Sequence, residues 1–176
     1  MKRKPVIFVL GFVIGMIILP LCAFFYIWLG FAPVATAAPP LPLERWFAST
    51  ALKARISREA PRKGAVPSSE DNLVAGAKIY GEDCAVCHGL MEQPKTPVAK
   101  GMYPPPPQLL HGKGVTDDPV GETYWKVANG IRLTGMPAFE GSLSDVQLWQ
   151  VSQLLANANH LPAAATALLS SKPPTN

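Results

Sequence analysis

The chain has 176 residues, enough for one ordinary domain and accessory segments. Apolar residues make up 48% of it and the formal net charge is +4, but both are unevenly distributed. Residues 68–160 carry six Lys/Arg against ten Asp/Glu and residues 38–67 carry six against two, so the part long enough to be a domain is acidic, which argues against a nucleic-acid partner.

Pro5 to Phe31 is a run of 27 residues without a charge, longer than the roughly 20 a helix needs to cross a bilayer core. Lys2, Arg3 and Lys4 stand directly before it. Positive charge in front of a first hydrophobic segment predicts a single-pass helix in the inner membrane, its N-terminus cytoplasmic and the rest outside, in the periplasm of a Gram-negative cell. The rival is a cleaved signal peptide, with Ala35-Thr36-Ala37 as the small-residue site. Val6 to Leu29 is nevertheless 24 residues, beyond the 7–15 usual for the apolar core of a signal. A lipid on Cys22 is disfavoured by Leu21, where a small residue is wanted, and Pro20 is expected to kink the helix.

Ala38-Pro39-Pro40-Leu41-Pro42 reads as a stiff spacer. Leu43 to Ala60 can form one helix before Pro61, with Leu43, Trp46, Phe47, Ala51 and Ala54 on one face and Leu52 and Ile56 on the other. Its amphipathicity is therefore weak, and an interfacial or docking helix and a solvated stalk both fit. Pro61 to Ser69 is a second spacer, so about thirty connector residues are expected to let the following domain swing. That domain opens with a helix from Ser68 or Ser69 to about Asp83, with Glu70 and Asp71 well placed in its first turn. A long loop from Gly89 to Val115 contains Pro104 to Pro107, which exclude it from a helix or central strand. Asp118-Pro119 looks like the start of a helix ending at Gly130. Ser144 and Gln147 suggest a capping box for a last helix to about Ala158, with Leu148, Val151, Leu154 and Leu155 on its buried side. The segments are thus 1–32 (N-terminus and transmembrane anchor), 33–67 (connector), 68–161 (domain) and 162–176 (flexible tail).

Cys84-Ala-Val-Cys87-His88 is the pattern of c-type haem attachment: two thiols add to the vinyl groups and the adjacent imidazole ligates iron. A disulfide over this spacing would be strained. A redox dithiol would follow a strand, whereas here a helix precedes it. Zinc would need a fourth ligand, and neither His111 nor His160 falls in a paired zinc spacing. A sixth iron ligand is expected from Met136, which lies 48 residues after His88 between Gly135 and Pro137, in a turn that can present a thioether. Met91 is too near His88 to reach round, and Met102 is the rival.

Gly76-Ala-Lys-Ile-Tyr80, the Cys-x-x-Cys-His motif and Gly130-Ile-Arg-Leu-Thr-Gly-Met-Pro-Ala-Phe139 together resemble a class I, mono-haem, membrane-anchored c-type cytochrome over roughly residues 70–160. The resemblance implies an all-α cytochrome c fold with one covalent haem c, ligated by His88 and Met136. It also implies that the first and last helices meet at Gly76, near an aromatic such as Trp149, and that a carbonyl within Pro104–Pro107 orients His88. Arg132 would pair with a haem propionate. Leu109, Leu110, Tyr124, Ile131, Leu133 and Phe139 are the expected apolar wall, with Tyr103, His111 and Trp125 nearby.

Saturated ligation points to a carrier of single electrons and not an enzyme, working between a membrane-bound donor and acceptor of a respiratory chain, with residues 5–31 in the lipid bilayer. Two alternatives are a fixed haem subunit of a larger membrane oxidoreductase and a haem-based sensor with a labile methionine.

Overall fold

The structure is a computed structural model that describes residues 3–111 and 118–170. Lys2 of the basic flank, residues 112–115 of the long loop and residues 171–176 of the tail lie outside the described residues. All regular structure among the described residues is helical, and the chain divides into two units, 1–44 and 45–176.

The first unit is dominated by α1 (Arg3–Trp28), with Pro20 inside it. Its apolar stretch, Val6–Trp28, has 23 residues. At 1.5 Å rise per residue it spans about 34 Å, enough for a bilayer core of about 30 Å. No side chain in its most apolar stretch is buried by the protein. Phe24, Phe25 and Trp28 pack edge-to-face near its C-terminal end, and Tyr26 stacks on Phe31. Aromatic rings at a helix end are the composition of a membrane–water interface.

The second unit begins with α2 (Glu44–Glu59) and continues through α3 (Glu70–Ile79), a π-helical turn (Tyr80–Cys84), α4 (Ala85–His88), α5 (Pro97–Gly101), α6 (Val120–Asn129), α7 (Asp145–Ala156) and α8 (Ala163–Ser170). Its centre is the packing of α3 on α7 and of α7 on α6. Leu73, Ala77 and Ile79 of α3 and Leu148, Val151, Leu154 and Leu155 of α7 are buried at the expected helical spacing. Gly76 is what lets these backbones meet: a Cβ there would lie 2.4 Å from the Gln150 carbonyl oxygen. The close approach is therefore to Gln150 and Leu154 and not to Trp149, whose ring stacks on Tyr124 at 4.1 Å. The capping box forms as expected, Ser144 Oγ accepting from the Gln147 amide and Gln147 Oε1 from the Ser144 amide.

Two segments differ from the sequence expectation. The tail expected to be flexible from residue 162 contains α8, which packs on α3 with Ala165 and Leu169 fully buried. The connector expected to swing is instead packed into the second unit from Arg45 onward. Ile56 is buried, and Leu52 and Ala60 are half-buried. Arg45 lies over the Tyr103 ring and Trp125 Nε1 donates to Glu59 at 3.2 Å. Beyond the helix, the Pro61 carbonyl lies directly on Gly121, and Gln153 Nε2 donates to the Val66 carbonyl at 2.6 Å.

Candidate haem site

The attachment motif sits where α3 loosens. After Ile79 the helix widens into the π-helical turn and then tightens into α4, which ends at Gly89 with φ +79°. Such local widening is frequent at functional sites. Here it leads straight into the single turn that carries Cys84, Cys87 and His88. Side chains three apart in a helical turn lie on the same side, which gives the two sulfurs a common direction. The turn is pinned on both flanks. Buried Tyr80 donates its hydroxyl to the Gly89 carbonyl at 2.8 Å, and Thr96 Oγ1 donates to the Val86 carbonyl at 2.6 Å while capping α5.

The carbonyl that orients His88 is that of Pro107, 2.7 Å from Nδ1. A carbonyl only accepts, so Nδ1 carries the proton and Nε2 is left with its lone pair for a metal. Burial lowers the His88 pKa and the Pro107 hydrogen bond partly opposes this, so the site favours the neutral ring. Pro107 is held in turn by Gln108, which donates to the Leu90 carbonyl and accepts from the amides of Leu109 and Leu110. Four prolines spend no amide hydrogens, and one glutamine braces the end of their run.

Met136 sits in a loop tied to the end of α6. Gly130 turns the chain at φ +65°, with the Pro137 carbonyl against its Cα. Ile131 donates to the Met136 carbonyl, Thr134 Oγ1 accepts from the Met136 amide, and Phe139 donates to Val127. The thioether is thus carried on a loop closed from both sides.

These segments enclose a cleft of about 790 Å³, its open mouth included. Cys84, Cys87, His88 and Met136 all line it, with Leu109, Ile131 and Phe139 of the expected wall. Met102 lines it too, its methyl group lying against Gly135. Val127 and Leu155 complete the apolar lining; the sequence placed Leu155 on the buried side of its helix but not at the cleft, and did not single out Val127. Other expected residues do not reach it. Tyr124 instead stacks on Trp149 and donates to Asp145 at 2.6 Å. Leu110 is buried in the core, and Leu133, at φ +62°, is 94% exposed. Arg132 is exposed and outside the lining, as is His111, while Trp125 is turned to Glu59.

The donor set fits a haem better than its competitors. Burial, the Asp83 carboxylate and Cys87 push the Cys84 thiol up to about 12. A redox dithiol needs a ready thiolate, which such surroundings oppose. Among the described residues no three His, Cys, Asp or Glu side chains gather as a metal site. A tetrapyrrole supplies four iron ligands itself and asks the chain only for axial donors and an apolar slot.

A small all-helical domain with this motif and cleft defines the c-type cytochrome class. Residues 71–155 match the family model described as cytochrome c oxidase, cbb3-type, subunit III. Residues 71–155 therefore carry a c-type cytochrome domain, which implies haem c and electron transport. Among solved structures the chain is similar to a reducing HAO-like protein complex of Kuenenia stuttgartiensis, at 26% identity and a TM-score of 0.47, covering 53% of this chain and 46% of that one. No curated protein matches the chain.

Proposed function

We propose that this protein is a membrane-anchored carrier of single electrons, with one haem c on Cys84 and Cys87 and with His88 and Met136 as axial ligands. The observation that carries the reading is the convergence of those four side chains on one apolar cleft. When bound, the haem would supply a reversible one-electron couple, whose potential the His88 imidazole and Met136 thioether would raise. The chain's own residues do the rest. Pro107 fixes the imidazole tautomer, Leu109, Val127, Ile131, Phe139 and Leu155 exclude water, and the tied 130–139 loop presents the thioether. His88 and Met136 would both be engaged in holding the iron, and the bound haem would then supply electron transfer to partners and not a substrate site. α1 is read as a retained single-pass anchor, with the haem domain on the periplasmic side of the inner membrane. Basic residues before α1 and the length of its apolar stretch support that reading over a cleaved signal. The proposed segments are the anchor to residue 32, the connector 33–67 and the haem domain 68–161. Donor and acceptor are proposed to be membrane-bound respiratory proteins.

The test is direct. Protein made with a c-haem maturation system should hold one haem per chain that acidified acetone does not extract. Cys84→Ser with Cys87→Ser should make any bound haem extractable, and a haem-free wild-type protein would overturn the proposal.

A second reading, a fixed subunit of a larger oxidoreductase, draws on the matched family, which is described as an oxidase subunit. Stoichiometric partners retained through mild-detergent purification would favour it over a free carrier.

A further inference from the structure

The weak amphipathicity of α2 comes from two apolar stripes, and only one is covered. Arg45, Leu52, Ile56 and Glu59 share the face turned to the haem domain, where Ile56 is buried and Arg45 and Glu59 meet Tyr103 and Trp125. Trp46, Phe47, Ala51 and Ala54 lie on the face away from it and are all exposed. Trp46 and Phe47 are 58% and 62% exposed, and their rings pack edge-to-face at 4.8 Å, forming one aromatic knob. A soluble surface seldom presents such a pair without a use for it.

We infer that this outer face of α2 lies in the headgroup layer of an anionic bilayer and seats the haem domain on the membrane surface. The inference rests on the anchor reading of α1. Three observations select lipid as the occupant. First, only the fifteen residues Leu29–Leu43 separate the end of α1 from the start of α2, a reach of at most about 50 Å. Second, an aromatic pair backed by alanines, with Lys53 and Arg58 on the same helix, has the shallow apolar face and basic margin of an interfacial helix. Third, charge is segregated along the chain. Residues 38–67 carry an excess of four positive charges and residues 68–160 an excess of four negative ones. An anionic surface draws in the first and repels the second, so the basic helix faces lipid and the acidic domain faces away. Because α2 is clamped to the domain through Tyr103, Trp125 and the Pro61–Gly121 contact, seating it also fixes the orientation of the haem cleft. The domain is therefore presented to partners in one pose and does not sample many.

The test uses full-length, haem-loaded protein carrying Cys22→Ser and a spin label at Ala54→Cys, or at Glu140→Cys as a control. It is held in nanodiscs of phosphatidylcholine alone or with about a third phosphatidylglycerol. With phosphatidylglycerol, the label at 54 should collide several-fold more with oxygen than with a water-soluble nickel chelate, and the label at 140 should show the reverse. Trp46→Ser with Phe47→Ser should abolish the protection at 54 and leave the haem spectrum unchanged. Equal nickel access at 54 and 140 overturns the inference while leaving the carrier reading intact. Protection at 54 seen only in native membranes with a protein partner overturns lipid as the occupant. Release of the protein from the discs instead refutes the anchor on which the inference rests.

Discussion

Replacing Gly76 by alanine tests the packing that holds the haem domain together. An alanine Cβ would lie 2.4 Å from the Gln150 carbonyl oxygen, 2.9 Å from its carbon and 3.0 Å from Leu154 Cβ. Ordinary contact starts near 3.4 Å, so α3 and α7 must part by about 1 Å. Two of the three obstacles are backbone atoms of a buried helix and cannot swing aside. A gap of that size forfeits between a quarter and a half of each dispersion contact bridging the two helices. Overpacking of this kind costs about 1–3 kcal/mol, here at the upper end, and the better helix propensity of alanine returns about 1 kcal/mol. The net loss is about 2 kcal/mol, a fall of roughly 5–10 °C in Tm for a unit of this size. Gly81 is the internal control, since nothing lies within 4 Å of a Cβ built there. Far-UV circular dichroism melts of the two haem-loaded variants should separate them clearly. If Gly76→Ala melts with the wild type and with Gly81→Ala, the close approach of the two backbones is not what the fold depends on.

Leu169→Ala should cost about 2–5 kcal/mol in urea unfolding, because Leu169 is fully buried and the site can collapse only by moving α8. An unchanged midpoint would mean that α8 adds nothing to the domain. Tyr124 titrates late: its hydrogen bond to Asp145, its partial burial and the nearby Asp145 and Glu140 charges push its pKa up to about 12 from 10.0. The stabilisation from this group is therefore whole below pH 10 and is lost as pH rises toward about 12. In a tyrosinate absorbance titration, Tyr124→Phe should remove one late-titrating group; loss of an ordinary step near pH 10 would contradict the Asp145 bond.

The haem motif was legible because its chemistry is local: two thiols and an imidazole within five residues need no knowledge of the fold. That Met136 lines the cleft was legible for a related reason, as a thioether between Gly135 and Pro137 is set out on a loop by its neighbours. Which proline carbonyl meets His88 was not, since four identical residues differ only in where the chain carries them. Tyr124 was misplaced by the same kind of gap. Tyr124 lies on an expected helix, but only the packing decides that Val127 faces the cleft and Tyr124 faces Trp149. α8 was missed because a run of alanines gives little periodic contrast. The docking of α2 was hidden because a helix with apolar stripes on opposite sides looks weakly amphipathic, whichever stripe the domain covers.

The account turns on Met136 as the second iron ligand, with Met102 the other thioether in the cleft. The decisive measurement is the methionine-to-iron charge-transfer band at the red end of the visible spectrum of the oxidised protein. It is taken for the wild type, Met136→Ala and Met102→Ala, with carbon monoxide then added to the reduced proteins. The band should be present in the wild type and in Met102→Ala and absent in Met136→Ala, which alone should bind carbon monoxide at neutral pH. Loss of the band in Met102→Ala with its retention in Met136→Ala, or carbon monoxide binding by the wild type, would contradict the closed His88–Met136 site.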